Sequence, residues 1–181
     1  MGSWGSSTAD ESKPKYLTEV EKRDCYADKT GWTVKAGGNN NPAADRETLV
    51  AIGGLAGGTS TTARLAHASI SSTRFVTTSF NAGTAAFIAE VNYNEAVTVT
   101  GEPTLELTVG SGTATLTYTT TGSSANRLRF TGNVTAAEND VIALGANKLA
   151  KGGGVEIKDA GTTVDSEITH GAQTANITVG A

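Results

Sequence analysis

Two histidines, one cysteine and a crowd of glutamates are the residues of this chain whose types could do chemistry. His67 and His170 stand about a hundred positions apart with no third ligand at metal-binding spacing, so both read as surface or loop histidines. Serine is plentiful, yet there is no Gly-x-Ser-x-Gly elbow, and no serine is matched with a histidine and an acid in a readable order. Glu90, Glu95, Glu102 and Glu106 lie close together, but glycoside hydrolysis needs two carboxylates facing each other across a cleft. Glu90 and Glu106 are expected instead on the wet face of strands. Asp140, Asp159 and Asp165 fall near turns and lack the dense oxygen spacing of a calcium loop, so solvated turns are the simpler expectation. Cys25 has no motif around it and is expected as a small buried apolar residue. The glycines at 53–54 and 57–58 lack the Lys-Ser/Thr pair that makes a phosphate loop. These residues assign no catalytic group, no cofactor and no metal ligand, and the chain is expected not to be an enzyme.

Composition narrows the classes further. Among 181 residues there are 22 glycines, and threonine and valine are abundant. Thr and Val favour strands while Gly separates them, so the bias is towards β structure. The net charge of −4 argues against a nucleic-acid partner, which would ask for a basic patch. Cations match acids up to Arg64, and the acidic excess follows it. A single cysteine excludes an intrachain disulfide. No apolar run approaches the roughly 18 residues of a membrane helix, and the first residues lack the pattern of an ordinary secretory signal. Without such a signal, the sequons at Asn133 and Asn176 carry no expectation of a glycan.

The elements that would position any site follow in order. Residues 1–15 are too polar to fold alone and read as an extended arm. Trp4 stands out there, either tucked onto its own domain or anchoring a neighbour, since Trp is enriched at binding hot spots. Thr18 and Glu21 fit a capping box opening a short helix to about Ala27, with Val20, Cys25 and Tyr26 facing inward. A turn over residues 28–31 leads to a strand at Trp32–Val34, and Leu49–Ile52 forms another. The stretch from Val91 to Val109 contains three alternating runs, Val91/Tyr93, Val97/Val99 and Leu105/Leu107/Val109, with a Gly-Glu-Pro turn at 101–103. Further strands are expected at Ala114–Tyr118, Leu128/Phe130, Val141/Ala143, Val155/Ile157, Val164, Ile168 and Ile177/Val179, with a Gly-Ser-Ser loop at 122–124. Arg127 and Arg129 should flank Leu128 on the outside. Seven or more short strands with turns about every ten residues predict an antiparallel sandwich with a thin core. The expected organisation is an arm (1–15), a small β-rich module with one short helix (16–67) and a sandwich (68–181).

Two resemblances add to this. The text Tyr93-Asn-Glu-Ala-Val-Thr-Val-Thr-Gly-Glu-Pro-Thr-Leu-Glu-Leu107, followed by Tyr118, Leu128-Arg-Phe130 and Gly152-Gly-Gly-Val-Glu-Ile-Lys-Asp-Ala-Gly161, resembles bacterial Ig-like repeats of large surface proteins. It covers nearly all of residues 68–181 and implies an Ig-type sandwich used for adhesion or spacing. The text Trp4-Gly-Ser-Ser-Thr8, Lys13-Pro-Lys-Tyr-Leu17, Gly31-Trp32 and Leu49-Val-Ala-Ile52 is similar to the start of small virion structural proteins of T4-like marine phages, including those of cyanobacteria. That similarity implies a non-enzymatic virion protein made in the host cytoplasm, most concretely a capsid decoration or cement subunit. Attachment would run through the N-terminal region, with Trp4, Lys13, Pro14, Tyr16 and Trp32 as partner contacts. The implied partners are the major capsid protein or other virion proteins, with self-association in multiple copies and no nucleic acid or membrane. The alternatives are a neck, tail or fibre component, or an Ig-like adhesion module binding surface glycans. The last would need exposed aromatics, whereas Tyr93, Tyr118 and Phe130 are expected to point inward.

Overall fold

The computed structural model describes residues 17–38, 42–43, 45–52, 67–160 and 163–181. The described residues are mainly β, with antiparallel sheets and one very short helix. Its apolar residues gather into two cores, one from residues 17–52 and one from residues 68–179.

The first unit opens with the expected capping box. The Thr18 side chain accepts from the Glu21 N–H, and the Thr18 N–H donates to Glu21 Oε2 at 2.8 Å, which starts helix α1 (Glu19–Asp24). The helix stops three residues short of the expected Ala27. Six residues cannot sustain a helix without packing, and the following residues form β1 (Cys25–Asp28), paired with β2 (Gly31–Val34). Asp28 Oδ1 closes that hairpin by accepting from the N–H groups of Thr30 (2.7 Å) and Gly31 (3.1 Å). Gly31 has φ +137°, and a Cβ there would lie 1.9 Å from the carbonyl oxygen of Val50, so only glycine fits. Strand β3 (Glu47–Ala51) lies on the other side of β2. Leu17, Cys25, Ala27, Trp32 and Val34 form the core, with Leu49, Val50 and Ile52 packed against it. Val20, expected inward, is 60% exposed, because the helix is held from its C-terminal side.

The second unit is a lopsided antiparallel sandwich. Its strands are β4 (Ile70–Phe75), β5 (Gly83–Tyr93), β6 (Val97–Thr100), β7 (Thr104–Val109), β8 (Gly112–Ser124), β9 (Arg127–Ala136), β10 (Val141–Ala143), β11 (Leu149–Ala150), β12 (Glu156–Asp159) and β13 (Ile177–Thr178). One large sheet runs in the order β13-β10-β7-β8-β9-β5-β4, with β11 also on β7, and β12-β6 forms a small second sheet. Phe87, Ala89, Val91 and Tyr93 on β5, Leu128 and Phe130 on the neighbouring β9, and Leu105 and Leu107 on β7 all belong to the core of this unit. The three alternating runs of Val91–Val109 thus become the end of β5, β6 and β7. The final residues close the sheet: Gly180 N–H donates to the carbonyl oxygen of Phe80, Ala82 N–H to that of Gly180 (both 2.9 Å), and Val179 is buried.

Three local expectations change. Residues 122–124 belong to β8 rather than to a loop; the strand slips register between Thr119 and Ser124, and Ser123 Oγ both donates to Thr119 O and accepts from Arg129 N–H. On β10 the phase is inverted, with Ile142 buried opposite Val109 and Val141 41% exposed. Val164 forms no strand; the segment makes only an isolated bridge between Lys158 and Asp165.

Candidate functional site

Glu90, expected on a wet strand face, is fully buried. It sits on the side of β5 opposite the apolar core, between Arg74 on β4 and Arg129 on β9, its direct cross-strand neighbours. Arg74 places Nε and Nη2 at 2.8 and 2.6 Å from Glu90 Oε2. Arg129 places Nε and Nη2 at 3.1 and 2.6 Å from Oε1, and Arg127 Nε lies 3.7 Å from the same oxygen. All three arginines of residues 68–181 thus converge on one carboxylate. Burial pushes the Glu90 carboxyl up, but the Arg129 hydrogen bonds and the Arg127 and Arg74 charges together outweigh it and hold the group below the ordinary carboxylate range. A carboxylate so compensated is a poor proton donor or acceptor and a good structural tie. The bend of β8 passes over it: a Cβ on Gly122 (φ +79°) would come within 2.2 Å of Arg129 Nη1.

Arg127 continues the network into the first unit. Its Nη1 lies 3.5 Å from Asp24 Oδ1 at the end of α1, and Lys35 Nζ lies 2.8 Å from the same oxygen. Backbone contacts reinforce the junction: Ala27 N–H donates to Asn94 O at 2.7 Å, and Asn126 Nδ2 donates to both Arg23 O and Tyr93 O. Beside it opens a cleft of about 420 Å³ lined by Tyr26, Lys35, Asp45, Arg46, Ser124 and Arg127. Burial pushes the Tyr26 phenol up, more than neighbouring Arg46 pulls it down.

No family model, curated protein or solved structure matches the chain. Its chemistry therefore rests on its own residues. The histidines do not meet: His67 Nε2 lies 3.9 Å from Glu167, while His170 accepts from Lys148 N–H through Nε2 and faces Gly171 O with Nδ1, which fixes its tautomer inside a loop. Glu106 is half-exposed and pairs with Lys148 on the wet face, as expected. Asp159, expected in a solvated turn, is buried and accepts from Ala68 N–H at 2.5 Å. Among the described residues no group of three His, Cys, Asp or Glu could hold a metal. Tyr93 and Phe130 are buried, and Tyr118 is partly buried against Phe130, which leaves these three no open aromatic platform.

Of the expected partner contacts, Trp4, Lys13, Pro14 and Tyr16 lie outside the described residues. Trp32 is 1% exposed and fills the core of the first unit, so it can shape a contact surface but presents none itself. The Glu90 cluster was missed by sequence reasoning. Its signal was the Arg-x-Arg spacing at 127 and 129, which puts both guanidinium groups on one strand face.

A second feature lies at the sheet edge. Among the described residues strand β4 is the last in the large sheet, and a groove of about 280 Å³ runs between its residues 70–73 and the segment 170–174. Gln173 in the groove wall has a buried Oε1 without a hydrogen-bond partner.

Proposed function

We propose that this chain is a non-enzymatic structural protein of a phage virion, most concretely a decoration or cement subunit attached through its N-terminal region. The observation that carries this reading is the junction. The small unit is tied to the sandwich by the hydrogen bond from Ala27 N–H to Asn94 O, by the Asn126 side chain on Arg23 O and by Arg127, which links Asp24 to the buried Glu90. A subunit that fastens at one end and projects a sandwich from the other needs such a stiff joint. The resemblance of the N-terminal text to virion proteins and of residues 68–181 to Ig-like spacers supports the same assignment. Many copies on a lattice raise the effective strength of weak contacts by roughly 10²–10⁴-fold, so each attachment surface can be small.

Quantitative mass spectrometry of purified particles tests the reading. Hundreds of copies per particle are expected for a head protein, and tens would move it to the neck, tail or fibre. A protein abundant in infected cells but absent from purified particles would overturn it.

A further inference from the structure

We infer that the free edge of β4 is an acceptor site for an extended strand, and that its occupant is the segment 1–16 of a second copy of this chain. The edge is open in a specific way. Val76 N–H donates to Ile88 O at 2.9 Å, and Arg74 stands opposite Glu90. Antiparallel alternation then turns the hydrogen-bonding groups of Ser72 and Arg74 towards β5 and those of Thr73 and Phe75 outwards. No further backbone hydrogen bond reaches Thr73 or Phe75 among the described residues. An outward row of this kind templates a further strand.

The groove beside the edge fits such a strand. Ser71, Ser72 and Thr73 form one wall, His170–Thr174 the other, and Ile70 supplies the apolar contact. Gln173 is held by its N–H to Leu144 O and by Nε2 to Ala175 O, which leaves the buried Oε1 short of one donor. A backbone N–H of an incoming strand would satisfy it, and a buried acceptor left alone costs stability.

The occupant follows from the chain that precedes Leu17. Residues 1–16 are small and polar over Ser3, Ser6, Ser7 and Thr8, matching hydroxyl-lined walls. They carry two acids and two lysines, so no net side-chain charge opposes docking. Pro14 would end a paired strand before the module begins. Sixteen extended residues span about 50 Å, whereas six-residue β4 needs about 20 Å; the surplus is enough to cross to a neighbour. Each copy would then donate one strand and accept one, either reciprocally in a dimer or head-to-tail in a larger assembly. This assigns residues 1–16 to the neighbouring subunit and holds whether or not the protein belongs to a virion.

The test needs no capsid. Sedimentation velocity and amide hydrogen exchange would be measured on the full chain, on residues 17–181 and on Thr73→Pro, over a hundredfold range of concentration. The expected result is a full chain whose mass rises with concentration while exchange at Thr73 and Phe75 slows at least tenfold. Residues 17–181 should stay monomeric with fast exchange at both amides. Thr73→Pro should lose self-association while melting within a few degrees of the parent; should that variant unfold, the truncation alone decides. Protection of Thr73 and Phe75 in a chain that sediments as a monomer would place the chain's own arm in the groove and overturn the inference. So would a full chain that remains monomeric, or a truncated one that associates as well as the parent.

Discussion

At the scale of single residues, the charge cluster around Glu90 is where a substitution should cost most. Removing one partner of a buried, hydrogen-bonded ion cluster typically costs about 3–5 kcal/mol because the remaining charges lose their compensation. Glu90→Gln is expected to destabilise by about 3 kcal/mol at neutral pH, whereas Glu106→Gln, which breaks a half-exposed pair with Lys148, should cost under about 1 kcal/mol. Urea denaturation of the two variants checks the contrast. The cluster also sets an acid dependence. The folded Glu90 carboxyl is held below its unfolded value, so its contribution is complete above about pH 4.3 and fades as pH falls through the lower folded value. The stability gap between parent and Glu90→Gln should therefore narrow on acidification, and a gap that widened towards pH 3 would contradict this. The sequence displayed the Arg-x-Arg spacing but not its consequence. What closes over the carboxylate includes a bend of β8 at Gly122 and the end of a helix at Asp24, and neither position is predictable from alternation along β5.

At the scale of elements, local signals were legible where they were complete in themselves. Thr18 with Glu21 announced the helix start because a capping box needs only four residues; Thr18→Ala should cost about 1 kcal/mol. The helix end was not legible, because Cys25 and Tyr26 are claimed by pairing with Val34 and Thr33, a tertiary choice that overrides local pattern. The same holds for β10, whose phase is set by Ile142 lying against Val109. Gly31 is the tightest point of the small sheet. Gly31→Ala must shift the carbonyl of Val50 and adopt a φ that side chains avoid, at an expected cost of at least about 2 kcal/mol. Hydrogen exchange should then accelerate across residues 25–34 while β5 and β9 keep their protection.

At the scale of the whole molecule, the described part of the small unit has a core of only five buried apolar residues, and small units with thin cores rarely stand alone. It should melt together with the sandwich as one cooperative transition. Asn126→Ala, which removes donors to Arg23 O and Tyr93 O, is expected to split calorimetric unfolding towards two transitions, the smaller at lower temperature. The closure of the sheet by its final residues has a consequence for synthesis. The carbonyl and N–H of Gly180 pair with residues 80 and 82, and Val179 fills the core beside them. At about 5–20 residues per second, the nascent chain waits roughly 5–20 s between emergence of the first partner and the second. During that interval the large sheet has one end unlatched, so its completion waits on the emergence of residues 179 and 180.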